Sequence, residues 1–242
     1  MHIILTGATG SVGGPVLREC LSSPAITRLS ILSRRSFMLP LVGDARKANI
    51  IIHEKYDEYP PEVTDQLKGA EGCVWAQGIS QAEVAKDEYI RITYDYPLAA
   101  AKAFSTLSDT GKFNFVYVSG EGADPTEQTY TFFGKIKGRA ETALRALPST
   151  PPHTPLRVFN VRPGFVDPTR PGGISKRVVA VAVAPLMRTL IPGLVSPADV
   201  LAKVLVELAT GDGEPLAPGT GVEDEGRTLR CVGVRRLGGL SR

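Results

Sequence analysis

The sequence has few of the residues that build metal centres or disulfide frameworks. Its 242 residues include three cysteines, three histidines and one tryptophan. The cysteines lie far apart, at positions 20, 73 and 231, and an odd number without metal-ligand spacing favours free thiols in a reducing compartment, which predicts a cytoplasmic location. The histidines, at positions 2, 53 and 153, are equally scattered, so no metal site is predicted.

Long apolar runs and a large net charge are also missing. The most apolar later stretch, residues 178–187, contains Pro185 and is far shorter than the roughly 20 residues of a membrane span. We interpret it as a core or substrate-covering helix, with a membrane-surface helix as the alternative because Lys176, Arg177 and Arg188 flank it. A net charge of +3 with dispersed basic residues gives no reason to expect a nucleic-acid partner.

What the sequence does contain is a regular alternation of short apolar runs and helical segments. Predicted strands cover residues 2–7, 27–35, 49–54, 72–78, 112–120 and 155–164. The longer segments between them, notably 83–109 and 129–147, are predicted helices, and Pro97 predicts a kink or a fresh helix start in the first. This alternation predicts an α/β fold: a doubly wound, Rossmann-type parallel sheet with helices on both faces.

The alternation weakens after Pro163. Helices are predicted over 174–190 and 196–211, the second with a cap-like start at Ser196 and Asp199, and a short terminal strand over 227–237. We therefore predict a single domain, 1–242. Within it, residues 1–166 form a cofactor-binding core, and residues 167–242 form a small C-terminal extension that covers the substrate side.

The first predicted strand runs directly into a glycine-rich turn, "GATGSVGG", with Gly7, Gly10 and Gly13 three residues apart. In a strand–turn–helix context, such glycines allow a tight turn, the close approach of a pyrophosphate, and close packing of helix on strand. The helix N-terminus then offers free N–H donors and a partial positive charge to the phosphates. The turn therefore predicts a dinucleotide site.

The end of the second strand indicates which dinucleotide binds. It reads Ser33, Arg34 and Arg35, where an NAD-binding chain usually has a carboxylate for the ribose hydroxyls. A guanidinium binds a 2′-phosphate bidentately, and a neighbouring hydroxyl adds a hydrogen bond, so NADP(H) is favoured over NAD(H). The alternative, two solvated surface arginines, leaves the cofactor preference open.

With the segments "SRR", "YVSGEGAD", "GKIKGRAE" and "VRPG" in this order, residues 1–166 resemble the short-chain dehydrogenase/reductase superfamily. The likeness is greatest to its atypical members, the HTATIP2-like and sugar-epimerase-like group. The resemblance implies a catalytic Ser119 and a Lys137 that binds the nicotinamide ribose. Such folds pair through their long helices, so a homodimer is a candidate arrangement. The candidate cofactor contacts are Gly7, Thr9, Gly10, Ser11, Val12 and Gly13; Ser33, Arg34 and Arg35; Ala76, Gln77 and Gly78; and Lys137, Pro163 and Gly164.

The chain departs from this family at one catalytic position. The family places a tyrosine four residues before the lysine, where the lysine charge lowers the pKa of the phenol for proton transfer. Here that residue is Phe133, whose ring carries no proton to transfer. Tyr130 lies seven residues before Lys137 and is a candidate substitute only if the helix begins after it and the loop folds back.

Two functions from different classes remain, besides a membrane-associated redox protein that rests only on residues 178–188. One is an NADP(H)-dependent oxidoreductase acting on a small carbonyl or alcohol substrate, with Ser119, Lys137 and Tyr130 as catalytic residues. The other is an NADP(H)-binding regulatory or scaffold protein whose catalysis is weakened or lost, which Phe133 favours.

Overall fold

A computed structural model describes residues 1–166 and 192–240, and an eight-stranded sheet lies at its centre. The strands in chain order are β1 His2–Thr6, β2 Arg28–Ser33, β3 Ala48–Ile52, β4 Gly72–Trp75, β5 Phe113–Val118 and β6 Leu156–Arg162, with β9 Val222–Glu223 and β10 Thr228–Arg230 near the C-terminus. Between them, β7 Phe165–Val166 and β8 Val195–Ser196 form a separate parallel pair. β1, β4 and β5 are almost entirely buried, as expected for parallel strands covered on both faces.

Helices cover both faces of this sheet. Their bounds are α1 Gly13–Ser22, α2 Pro61–Leu67, α3 Lys86–Ile90, α4 Tyr96–Phe104, α5 Phe132–Ala146, α6 Ala198–Thr210 and α7 Cys231–Leu237. α1 and α6 bury their apolar residues in one core cluster, and α2, α4 and α5 bury theirs in a second. The two clusters lie on opposite faces, because successive residues such as Ile3 and Ile4 of β1 belong to different clusters.

The strand order is β3-β2-β1-β4-β5-β6-β10-β9, and all pairs are parallel except β10 with β9. The order reverses between β1 and β4, which pair through Ile3 with Gly72 and Thr6 with Trp75. A cleft forms outside the carboxyl ends of the strands at such a reversal, and ligands of doubly wound sheets bind there. The predicted Rossmann-type fold is confirmed.

The C-terminal third contributes more to the core than the sequence suggested. α6 packs against α1 and buries one continuous apolar stripe, including Leu201 and Leu205, and β10 extends the sheet beside β6. Residues 198–230 therefore complete the core and do more than cover a substrate. The predicted cap also needs correction. Ser196 lies in β8, and Pro197 precedes α6 without any side-chain cap, because the Ser196 hydroxyl accepts a hydrogen bond from the Gly164 N–H instead.

Pro97 produces the fresh helix start that the sequence predicts. One turn of π-helix, Arg91–Asp95, joins α3 to α4, and Pro97 lies in the first turn of α4. Because proline has no N–H, the Thr93 carbonyl loses its usual partner four residues later. The buried Tyr117 hydroxyl of β5 donates to that carbonyl at 3.0 Å, so the break in the helix is satisfied by the neighbouring strand.

Some predictions fall outside the described residues, namely the helix over 174–190 and the apolar stretch 178–187 within it. In residues 1–166 and 192–240, no helix has the length and apolar character needed to cross a bilayer. The described chain also has no cluster of three metal-ligating side chains. Cys20, Cys73 and Cys231 are buried free thiols.

Replacing Tyr117 by phenylalanine tests how the break before Pro97 is satisfied. Tyr117→Phe leaves the buried Thr93 carbonyl without a donor, and we expect the free energy of unfolding to fall by about 1–3 kcal/mol. Chemical denaturation measures this change. Tyr94→Phe, in the π-helical turn, is the control, because phenylalanine keeps the ring that faces the Arg139 guanidinium at 4.5 Å. An equal loss in both variants contradicts the assignment.

Candidate functional site

The glycine-rich turn after β1 is packed too closely for side chains at two of its three positions. Gly7 has φ +66°, and a Cβ there would collide with the carbonyl of Ala76 at the end of β4. A Cβ on Gly13 would collide with the Gly7 carbonyl, so α1 begins directly against the turn. Gly10 is exposed, and the Gly7 oxygen is the one described neighbour within 4 Å of a Cβ built on it. Its missing Cβ therefore leaves room for a ligand instead of allowing internal packing.

The N-terminus of α1 also suits an anion. Val12 occupies its capping position, and no side chain caps the helix. The first N–H groups of a helix have no partner within the helix. In α1 the Gly14 N–H donates to the Gly10 carbonyl at 3.0 Å and Pro15 has no N–H, so the N–H groups before Gly14 are the ones open to a bound phosphate. Ser11 is exposed and Val12 half-buried at this end, whereas Gly13 is buried and acts through packing.

Nine of the predicted cofactor residues line one cleft at the carboxyl ends of β1, β2 and β4. The cleft has a volume of ≈ 170 Å³ and is lined by Gly7, Ala8, Thr9, Gly10, Leu32, Ser33, Arg34, Arg35, Phe37, Tyr56, Ala76, Gln77 and Gly78. Phe37 and Tyr56 were not foreseen, because they lie in loops outside any motif. The Gln77 side-chain oxygen is buried without a hydrogen-bond partner in the described residues, so the cleft contains an unused acceptor.

The cleft has a basic wall after β2. Arg34 and Arg35 are exposed, neither side chain forms an ion pair within residues 1–166 and 192–240, and no Asp or Glu lines the cleft. The Ser33 hydroxyl donates to the Arg35 carbonyl at 2.7 Å. Ser33 therefore shapes the turn that presents the two arginines, a role that the sequence had not indicated.

Beyond the cleft, α5 lies against the loop that follows β5. A Cβ on Gly138 would collide with the Asp124 carbonyl, and one on Gly134 would lie 2.5 Å from the Gly122 carbonyl. The two glycines are four residues apart, so they share one helix face. The two glycines of the segment "GKIKG" are the sequence signal for how closely α5 approaches the loop.

This contact brings Ser119 and Lys137 together. The Lys137 ammonium donates to the main-chain carbonyl of Ser119 at 2.6 Å. The Ser119 side chain is buried at 3% exposure, and its hydroxyl has no hydrogen-bond partner among the described residues. Buried hydroxyls are normally paired, so this one is available to a ligand.

Phe133 and Tyr130 lie differently. Phe133 is half-buried on the same side of α5 as Lys137, and its ring edge comes within 3.4 Å of the Cβ position of Gly122. Its N–H donates to the side-chain oxygen of Gln81 at 3.0 Å, a contact that the sequence did not reveal. α5 does begin after Tyr130, but that side chain is fully exposed and makes no hydrogen bond to Ser119 or Lys137. The loop does not fold back, so the structure does not bring Tyr130 to the other candidates.

Lys137 has an unusual protonation environment. Burial lowers the pKa of its ammonium from 10.5 to about 8, and the nearby Glu141 carboxylate partly opposes this by favouring the charged form. Glu141 lies four residues further along α5 and therefore on the same helix face. Its own charge is held by Arg162, whose Nη2 donates to the Glu141 carboxylate at 2.6 Å.

Arg162 begins a network that closes this side of the site. It also donates to Glu223 at 3.0 Å, and Glu223 accepts from Arg230 at 3.4 Å. Arg230 in turn donates to Glu121 in the loop after β5, at 2.8 Å from Nε. Pro163 and Gly164, which follow Arg162 in the predicted "VRPG" motif, have structural contacts. The carbonyl of the buried Pro163 accepts from the Glu121 N–H at 2.8 Å, and the Gly164 N–H donates to the Ser196 hydroxyl.

No family model matches the chain. Its sequence is 32% identical to leucinostatins biosynthesis cluster protein T of Purpureocillium lilacinum, an alignment that covers 97% of this chain and 94% of that protein. It is 24% identical to the protein HTATIP2 of Rattus norvegicus, with 81% of each chain covered.

Solved structures share the fold at lower identity. A short-chain type dehydrogenase/reductase from Mycobacterium ulcerans superposes with a TM-score of 0.67 and 16% identity over 98% of this chain and 90% of that one. MoeE5 in complex with UDP-glucuronic acid and NAD gives a TM-score of 0.65 and 17% identity, covering 96% and 76%. These likenesses confirm the predicted Rossmann-type architecture.

The lowered pKa of Lys137 predicts a pH dependence of stability. Between pH 8 and pH 10.5 the unfolded chain keeps a proton on Lys137 that the folded chain has released, so the free energy of unfolding contains a contribution that rises with pH there. Lys137→Met removes this contribution. We expect wild type to gain stability relative to the variant as pH rises through that window, measured by denaturant unfolding.

Lys135→Met, on the same helix, is the control for removing one lysine. A constant difference in stability between wild type and Lys137→Met from pH 7 to pH 11 would contradict the burial of this ammonium.

Proposed function

This chain belongs to the atypical short-chain dehydrogenase/reductase superfamily, and we propose that it is an NADP(H)-dependent oxidoreductase acting on a small carbonyl or alcohol substrate. The observation that carries the proposal is the placement of two groups of residues at the carboxyl ends of neighbouring strands. The glycine-rich turn and the basic wall lie at the cleft. Lys137 and the Ser119 hydroxyl, which has no partner among the described residues, lie at the end of β5, the strand beside β4. A dinucleotide laid across the carboxyl ends of the strands contacts both regions.

The described residues fit such a cofactor. The turn and the uncapped N-terminus of α1 would bind the pyrophosphate, and Arg34 and Arg35 would bind a 2′-phosphate. Lys137 would bind the nicotinamide ribose, at the place where its ammonium now donates to the Ser119 carbonyl. When bound, NADPH supplies a hydride to the carbonyl carbon of a substrate.

The chain's own residues would orient the substrate and stabilise charge on its oxygen. The Ser119 hydroxyl would donate a hydrogen bond to the carbonyl oxygen, and the Lys137 ammonium would provide a positive charge nearby. The product oxygen also needs a proton, which the phenyl ring of Phe133 cannot donate. A positioned general acid typically contributes 10²–10⁴-fold in rate, so we expect slow turnover.

A relative supports the proposed substrate class. The relative from Purpureocillium lilacinum is named for a biosynthesis cluster, which supports a small molecule as the substrate of this chain. The buried free thiols agree with the cytoplasmic location proposed from the sequence.

Phe133 supports a second candidate function. With a ring in place of the phenol and Tyr130 exposed to solvent, the chain would keep its cofactor site while losing efficient proton transfer. An NADP(H)-binding regulatory or scaffold protein is the function that this arrangement would serve. Tight NADPH binding without turnover on any aldehyde, ketone or quinone would favour it.

The basic wall predicts the cofactor preference. In Arg34→Ala/Arg35→Ala, the dissociation constant for NADPH should rise by about tenfold or more, because charge-assisted hydrogen bonds to the 2′-phosphate are lost. Affinity for NADH should change little. Isothermal titration calorimetry measures both, with Arg236→Ala, an exposed arginine of α7, as the control for lost charge. Equal losses for the two cofactors would contradict the 2′-phosphate assignment.

Installing the missing phenol tests the enzyme function. Phe133→Tyr restores tyrosine four residues before Lys137, and NADPH oxidation with a panel of aldehydes, ketones and quinones should rise by roughly 10²–10⁴-fold. Phe132→Tyr, one position away and on another helix face, is the matched control. Activity in wild type that Lys137→Ala abolishes would support the oxidoreductase. No turnover in wild type or in Phe133→Tyr would exclude it for these substrates.

A further inference from the structure

An apolar loop is presented to solvent between β2 and β3. Residues 36–43 read Ser-Phe-Met-Leu-Pro-Leu-Val-Gly, and we call this segment the apolar loop. Met38 is 93% exposed and Leu41 103%, values reached by none of the other aliphatic side chains among the exposed large hydrophobic residues of the described chain. Met38 and Leu41 lie three residues apart in one apolar run, and we interpret this exposed run as a contact surface, because burial of its side chains elsewhere is favourable.

The apolar loop is held in place by its other residues. Phe37 and Leu39 pack against the core cluster of α1 and α6. At the far end, the Asp44 N–H donates to the Leu21 carbonyl at 3.0 Å, and Lys47 donates to the Ser23 carbonyl at 2.7 Å. Met38 and Leu41 thus project from a loop that is anchored on both sides.

Positive charge flanks the loop at both ends. Arg34 and Arg35 precede it, and Arg46 and Lys47 follow it; we call these four residues the basic flank. Asp44, which pairs with Arg46 at 2.8 Å, is the one carboxylate in residues 34–47 of the sequence. Excess positive charge around exposed apolar side chains matches the layering of an anionic membrane, with phosphates outside and acyl chains beneath.

A further exposed apolar side chain lies near the first end of the basic flank. Ile52, at the end of the edge strand β3, is 52% exposed and pairs with Ser33, the residue just before the basic flank. Met38, Leu41 and Ile52 project separately from the surface. A fluid acyl layer can pack around each of them, whereas a protein partner needs a complementary pocket for each one.

We propose that the apolar loop docks this protein peripherally on an anionic lipid surface. Met38 and Leu41 insert among the acyl chains, and the basic flank contacts the headgroup phosphates. The contact leaves the fold unchanged, because both side chains already point away from the body of the protein. Met38, Leu41, Arg46 and Lys47 do not line the cleft, so their contacts with lipid remain whether or not Arg34 and Arg35 bind NADPH.

Co-sedimentation of the full chain with vesicles tests this proposal. We expect binding to vesicles of phosphatidylcholine and phosphatidylserine in equal parts, and much weaker binding to phosphatidylcholine alone or at high salt. Met38→Ser/Leu41→Ser should lower the partition coefficient by on the order of tenfold or more per side chain. Ala217→Ser/Thr220→Ser, in another exposed loop, is the matched control and should partition like wild type.

Three outcomes would overturn the proposal. The first is wild type that binds neither vesicle, and the second is a Met38→Ser/Leu41→Ser variant that partitions like wild type. The third is a wild-type dimer that this variant converts to a monomer in sedimentation velocity, without vesicle binding, which would assign the loop to a second copy. Thermal unfolding and NADPH titration of the same variant separate these results from a misfolded chain and from failure of the cofactor site.

Discussion

The buried ion pair between Arg162 and Glu141 holds α5 against the end of β6. The side chains are 8% and 1% exposed, and the guanidinium contacts both carboxylate oxygens, so each charge depends on the other. Removing one partner from such a pair typically costs about 3–5 kcal/mol, because the remaining charge stays buried. The pair joins α5 to the end of β6, and α5 carries Lys137 one turn before Glu141. Moving the helix would therefore move the candidate catalytic lysine.

Glu141 also stabilises the charged form of Lys137. Its carboxylate favours the ammonium against the cost of burial, and Arg162 forms the ion pair with that carboxylate. Through Glu223 and Arg230 the same network reaches Glu121, beside Ser119 in the loop after β5. This half of the site is thus held by charge. The half around Gly7 is held by backbone packing that excludes side chains.

The two halves differ in how completely they match an oxidoreductase. At the cleft, the turn, the basic wall and the open helix end agree with one ligand. Beyond β5, Lys137 contacts the main-chain carbonyl of Ser119, near the hydroxyl that the proposed reductase would use, but Phe133 occupies the position where the family resemblance implies the proton donor. Local departures from a family pattern at a functional site indicate altered chemistry more often than altered folding. Here the Phe133 ring packs against Gly122, so the ring has a place in the fold.

The linear pattern sufficed for the first six strands, the glycine turn and the basic wall, because each depends on residues adjacent in the chain. The terminal strand predicted over 227–237 was wrong beyond Arg230, since Cys231–Leu237 form α7 and bury Val234 in the core. It also predicted the helix start at Pro97, since proline acts on its own backbone. It missed Tyr117 donating to Thr93, the Glu141–Arg162 pair and the place of α6 in the core, all of which join residues distant in sequence. Tyr130 shows the same limit. Its spacing left a catalytic role open, and the path of the loop, which depends on packing around Gly134 and Gly138, turned its side chain to solvent.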